Sequence, residues 1–141
     1  MKKILILNSN YYKNISKNLV SNAKKKLIQK KFLVHIIDVP GILEIPFVLK
    51  KNIKKYDGFV ALGCVIKGQT PHFDFICSSV FNSILNLSIE YNKPVGNGII
   101  TALNISQAKN RSTKNKKNKP NKGSEAVNAI VAILKNEPKK I

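Results

Sequence analysis

Few side chains in this sequence are suited to chemistry, and most of them cluster. The chain has two histidines, His35 and His72, the residue type suited to proton transfer at neutral pH. His35 lies between Val34 and Ile36 in an apolar run and reads as a satisfied core or surface residue. His72 follows Gly68-Gln69-Thr70-Pro71 at the entrance to a helix. Backbone N–H groups and the Thr70 hydroxyl there form a ready anion site, and an imidazole beside it can take and give protons. Neither GxxxxGKS/T nor GxGxxG occurs in the chain, which counts against nucleoside triphosphates and dinucleotides. Neither histidine has a second ligand at metal spacing, so no metal site is expected. Asp74 is placed only to support His72 from behind. Cys64 and Cys77 show neither CxxC spacing nor a nucleophile motif, and they read as reduced thiols of a cytosolic protein.

Two more stretches carry polar chemistry. Asn10-Tyr11-Tyr12 offers an aromatic that suits stacking on a flat heterocycle and packing equally well. In PGILEIP, Pro40 to Pro46, Gly41 permits close backbone approach and Glu44 falls at a helix start. That carboxylate serves either as dipole compensation and cap or as a hydrogen-bonding group for a polar ligand. Charge is the compositional outlier, with 25 basic and 7 acidic residues and a formal net charge of +18. Arg111 is the only arginine in this set. A nucleic-acid reader would be expected to use several arginines, and no reader motif is present, so nucleic acid is disfavoured as a partner. Most of the lysines read as solvated surface, which draws attention to the one guanidinium.

The elements that position these residues follow from periodicity. Four short apolar runs, Lys3–Asn8, Phe32–Asp38, Gly58–Val65 and Pro94–Thr101, are nearly continuous, the pattern of strands covered on both faces. Helical spacing separates them. One stripe comprises Ile15, Leu19, Val20, Ala23, Leu27 and Ile28. Pro46 opens a helix carrying Phe47, Val48 and Leu49. A long helix over 72–92 aligns Ile76, Val80, Ile84 and Leu87. A short helical piece spans Ile105–Arg111, and a last helix over 123–135 buries Ala126, Val127, Ile130, Ile133 and Leu134. Alternation of this kind predicts a four-stranded, doubly wound parallel sheet between helical layers. Ligands of such sheets bind beyond the strands' carboxyl ends, where Tyr11, Glu44 and His72 fall. The stretch Ser112–Lys122 is a lysine-rich polar loop. With 141 residues, 43% apolar content and no domain boundary, residues 1–141 read as one globular domain. No apolar run approaches the ~18 residues of a membrane span.

PGILEIP, ALGCVIKGQTPHFD, NGIIT with QAKNR, and NKGSEA occur in order on the expected strand ends. In this the chain resembles the 6,7-dimethyl-8-ribityllumazine synthase family of riboflavin biosynthesis, from Lys3 to about Leu134. The resemblance implies a flavodoxin-like three-layer α/β/α sandwich with sheet order 2-1-3-4. It implies condensation of 5-amino-6-(D-ribitylamino)uracil with 3,4-dihydroxy-2-butanone 4-phosphate, releasing phosphate and water, without metal or organic cofactor. By the same resemblance Tyr11 stacks on the pyrimidine, and Ile42, Leu43 and Glu44 hold the ribityl chain and ring. Cys64, Val65 and Ile66 border the ring, Gln69 and Thr70 bind the butanone phosphate, and His72 transfers protons. Arg111 completes the phosphate site from an adjacent subunit, with Lys122 close by. A planar, permanently charged fork suits a phosphate, a reason for a lysine-biased chain to keep one arginine. The expected partners are the two substrates and other copies of the chain, with a functional link to riboflavin synthase.

Asn97 stands where many members of that family have Phe after the Pro-Val pair, so it would contact the pyrimidine from a neighbouring subunit through polar groups. The ten residues between Arg111 and Lys122 make a longer loop than in shell-forming members. That loop, and a start without the extension that shells pair with a neighbour's sheet, favour a pentamer or decamer over an icosahedral shell. Two rivals make different predictions. A nucleic-acid module would show steeply salt-dependent binding, and a non-catalytic homologue would keep the pocket without turnover.

Overall fold

A computed structural model describes residues 1–113, 121–136 and 138–141. The elements run β1 (Lys3–Ser9), α1 (Lys13–Gln29), β2 (Leu33–Val39), a 3-10 turn (Ile42–Glu44) and α2 (Ile45–Asn52). They continue with β3 (Gly58–Ile66), α3 (His72–Tyr91), β4 (Val95–Ala102), α4 (Ile105–Ser112) and α5 (Lys122–Leu134). All strand pairs are parallel and the sheet order is β2-β1-β3-β4. This is the expected flavodoxin-like sandwich.

The continuous apolar runs have a direct cause in the two central strands. Successive residues of a strand face opposite sides. Ile4 and Ile6 of β1, with Val60 and Leu62 of β3, pack under α1 and α5. Leu5 and Leu7, with Phe59 and Ala61, pack on the α2 and α3 side. Both faces are sealed, so neither alternates in polarity. On β4, Gly96 lets α5 lie directly on the strand, since a Cβ there would strike the Ala126 carbonyl.

Three sequence expectations need correction. The run around β2 reads as covered on both faces, yet β2 is an outer strand with Leu33 and Ile36 exposed. The helices lie over the central strands, and β2 has a sheet neighbour on one side only. Its His35 is exposed and lies, through Nδ1, 2.8 Å from the Tyr56 hydroxyl. Ile28 and Ile133 are also exposed. Ile28 sits in the last turn of α1, one position round from buried Leu27. On α5 the buried stripe of Ala126, Val127 and Ile130 continues to half-buried Leu134, leaving Ile133 outside it. Most of the lysine-rich loop, residues 114–120, lies outside the described residues.

Candidate functional site

Two clefts hold the residues of interest, on different parts of the chain. The first, of about 460 Å³, opens beyond the carboxyl ends of β1, β2 and β3. Its walls bring together Tyr11, the turn Pro40–Glu44, Cys64, Val65, Ile66 and His72, with Ser9, Tyr12 and Ile76.

Each wall has a local cause. β1 ends at Asn8 and Ser9. The Asn8 amide donates to Asp38 Oδ1 at 2.9 Å and accepts from the Ser16 hydroxyl at 2.9 Å, locking β1 to β2 and to α1. The chain then turns into α1 through two tyrosines. The Tyr12 ring is half-buried against the α1-side core, and the Tyr11 ring stands on it edge-to-face, centroids 5.0 Å apart. Tyr11 is 72% exposed, so its other surface is open to the cleft. Burial first, then the neighbouring Cys64 and Tyr11, push the Tyr12 phenol above its ordinary value.

Glu44 ends the 3-10 turn and precedes α2. Its backbone N–H bonds Gly41 O at 3.3 Å, but its side chain makes no capping hydrogen bond. The carboxylate reaches back over Gly41, where a Cβ would meet Oε1 at 3.5 Å. Of the two roles open to Glu44, capping by the side chain is therefore not the one adopted. Gly63 lets two of the walls pack closely, because a Cβ there would press to 2.9 Å from Ile42 and 3.0 Å from Ser9.

His72 is exposed at the first position of α3. Pro71 supplies no side-chain cap, and its carbonyl accepts from Asp74 and Phe75. The His72 and Phe73 amides have no acceptor among the described residues, as expected of a helix start. Asp74 makes no hydrogen bond to His72. Gln69 and Thr70 are exposed on the loop before Pro71, beside His72 in the chain but outside the lining of either cleft. Burial pushes the Cys64 thiol up to about 11, so at neutral pH it is a protonated wall and no nucleophile. The Cys77 thiol is raised too, by burial and then by Asp74. Among the described residues no three His, Cys, Asp or Glu side chains converge as metal ligands.

The second cleft, of about 240 Å³, lies along β4 and gathers Asn97, Thr101, Arg111, Lys122, Glu125 and Phe81. β4 is an outer strand with one free edge. The carbonyls of Pro94 and Ala102 accept from Phe59 and Lys67 on the β3 side, so the backbone groups of 95, 97, 99 and 101 face outward. Two of these are occupied by the residues singled out in the sequence. Asn97 Oδ1 accepts from Ile99 N–H at 3.0 Å, and Arg111 Nη1 donates to Thr101 O at 2.8 Å. Lys122 forms an exposed ion pair with Glu125 at 3.6 Å, the kind of contact worth about 0–1 kcal/mol.

Several supports escaped the sequence reading. Asn104 caps α4 by accepting from Gln107 N–H, while the Gln107 side chain accepts from Leu103 N–H, each at 2.9 Å. The spacing of Asn and Gln is a capping-box signal that was available. Fully buried Asn121 accepts from the Gly123 and Ser124 amides at the start of α5, and donates to the Ser112 and Thr113 carbonyls at the end of α4. Ser9 and Tyr12 as cleft walls had no signal beyond proximity to a strand end.

A family model described as 6,7-dimethyl-8-ribityllumazine synthase matches residues 1–137. Curated proteins of that name are similar over most of their length. The one from Corynebacterium kroppenstedtii is 40% identical over 110 residues, 78% of this chain and 69% of that protein. The one from Limosilactobacillus reuteri is 40% identical over 115 residues, 78% and 74%. The Bartonella henselae protein is 38% identical over 117 residues, 80% and 76%.

Proposed function

Since the chain belongs to the 6,7-dimethyl-8-ribityllumazine synthase family, we propose that its two clefts are complementary halves of one active site, each completed by another copy of the chain. The activity of the family is transfer chemistry in riboflavin biosynthesis. 5-Amino-6-(D-ribitylamino)uracil condenses with 3,4-dihydroxy-2-butanone 4-phosphate, and phosphate and water leave. One observation carries the proposal: His72 and Arg111, expected to serve the same phosphorylated ketone, line different clefts of one protomer.

In this reading the open face of Tyr11 stacks on the pyrimidine, and the uncapped Glu44 carboxylate with the Ile42-Leu43 backbone holds the ribityl chain. Cys64, Val65 and Ile66 form an apolar wall along the ring. The uracil amine is the nucleophile, so binding it against the ketone carbonyl supplies much of the acceleration. His72 moves protons during imine formation and later dehydration. The free amides opening α3, with Gln69 and Thr70, face the phosphate and stabilise it as it leaves. The neighbour's Arg111, held at Nη1 by Thr101 O, aims its remaining N–H groups at the same anion. Lys122 adds charge there, and Asn97 meets the pyrimidine from the neighbour's side. We assign a cytoplasmic pentamer or pair of pentamers. No helix among the described residues is long and apolar enough to cross a membrane.

The test is subunit complementation. His72→Ala should lower kcat roughly 10²–10⁴-fold, and Arg111→Ala should cripple turnover at low ketone phosphate. Co-refolded in equal amounts, the two variants should recover about one quarter of wild-type lumazine formation, because random neighbours restore that share of shared interfaces. No recovery in assemblies shown by native mass spectrometry to be mixed would refute a shared site.

A further inference from the structure

Among the polar side chains at the end of β1, one has no assigned task. Asn8, Ser9 and Ser16 are all at least nine-tenths buried. Asn8 and Ser16 satisfy each other, and Asn8 also bonds Asp38. Ser9 is 2% exposed, and its hydroxyl has no hydrogen-bond partner among the described residues. Yet none of the described side-chain N or O atoms is both fully enclosed and unpartnered. The Ser9 hydroxyl therefore touches open space, and the first cleft is the space that Ser9 lines.

Its position is set from three sides. Ser9 is the last residue of β1, paired in register with Val39 of β2. Its Cβ lies 3.0 Å and its hydroxyl oxygen 3.6 Å from where a Gly63 Cβ would stand, and Ile42, 2.9 Å from the same point, lines the cleft with it. With the residue 2% exposed and lining the first cleft, the hydroxyl can meet a partner only in that space.

We propose that the Ser9 hydroxyl hydrogen-bonds the polar edge of the bound pyrimidine, an assignment that rests on the first cleft being the pyrimidine half-site. A uracil edge alternates carbonyl acceptors with an N–H donor. A hydroxyl that both donates and accepts can meet either. Tyr11 and the Cys64–Ile66 wall present surfaces to the ring's faces and apolar rim, but no side-chain donor at the floor. Ser9 supplies that donor, and it selects for a heterocycle with polar atoms on its inner edge.

The experiment compares Ser9→Ala with wild type. The substitution removes one oxygen and leaves the Cβ beside Gly63 in place. Equilibrium binding of 5-amino-6-(D-ribitylamino)uracil, measured by calorimetry, should weaken about 2–12-fold, the loss of one neutral hydrogen bond. The KM for the ketone phosphate and the thermal midpoint should be unchanged. Unaltered pyrimidine affinity in Ser9→Ala, with an active wild type, overturns the role of Ser9 alone. Equal loss of affinity for both substrates with a lowered midpoint also overturns it, since that marks a structural role. A wild type that makes no lumazine overturns the half-site reading and this assignment together.

Discussion

Replacing Asn121 with Ala should destabilise the protein by a large amount through a single buried amide. The Asn121 oxygen caps α5 at 2.8 Å from Gly123 N and 3.3 Å from Ser124 N. Loss of such a cap costs roughly 0.5–2 kcal/mol. Its nitrogen satisfies the Ser112 and Thr113 carbonyls at 2.8 and 3.1 Å, bonds worth about 0.5–1.5 kcal/mol each. Together the loss is about 1.5–5 kcal/mol, or a fall of about 0.8–2.5 M in the urea midpoint at a slope near 2 kcal/mol/M. Asn121→Ser keeps an oxygen that can cap and removes the donors, so it should recover about 1 kcal/mol of the loss. Unfolding must be compared at one protomer concentration, because the proposed assembly would add to stability. The same amide joins the end of α4, which carries Arg111, to the start of α5, which carries Lys122. Asn121→Ala should therefore raise the KM for the ketone phosphate more than that for the pyrimidine. A midpoint within experimental error of wild type, or a serine variant no better than alanine, would refute this account.

Arg111→Ala should raise the KM for 3,4-dihydroxy-2-butanone 4-phosphate about 10–150-fold, the loss of one charged hydrogen bond, with the pyrimidine KM within about two-fold of wild type. Steady-state kinetics with each substrate varied will tell, and matched losses would contradict a phosphate role. The Cys64 thiol, raised from 9.0 to about 11 by burial, gives a stability that is full below pH 9 and is lost as pH rises through about 11. Urea unfolding between pH 7 and 10.5 should show that decline, and Cys64→Ala should flatten it. At pH 8 a thiol reagent should label Cys64 only as fast as the protein opens, so labelling in seconds would be the contrary result.

How much was legible in the sequence depended on whether neighbours in the chain carried the information. β1 and β3 could be read because sealing both faces leaves consecutive apolar residues, and GFVALGCV between turn residues fits a strand of that kind. β2 shows the limit of that reasoning. LVHII is apolar enough for a central strand, but periodicity records how apolar a strand is and not which element covers it. The placement of Glu44 and His72 beside one cleft was legible because each stands beyond a strand end at a helix start. The hydrogen bonds that fix Arg111 and Asn97 to the free edge of β4 were not, because edge status depends on sheet order. Asn121 was least accessible of all, since its importance comes from two carbonyls eight and nine residues back along the chain.

Sheet order also explains why the site should be divided. With order β2-β1-β3-β4, the chain leaves β1 in one direction and β3 in the other, so the loops after these strands part and open a crevice between them. Tyr11, Glu44 and His72 stand around that crevice. Arg111 enters from α4, beyond the far edge of β4, and its bond to Thr101 O ties it to a backbone group pointing away from β3. To serve its own protomer's crevice, the guanidinium would have to give up that bond and cross two strands. Held where it is, it lies at the free edge of β4, the placement that the proposed shared site requires. In the proposed assembly, the tether that satisfies an edge carbonyl would also aim the chain's one arginine at a neighbour. An arrangement of this kind makes catalysis conditional on assembly, so isolated protomers should bind the pyrimidine and fail to turn it over.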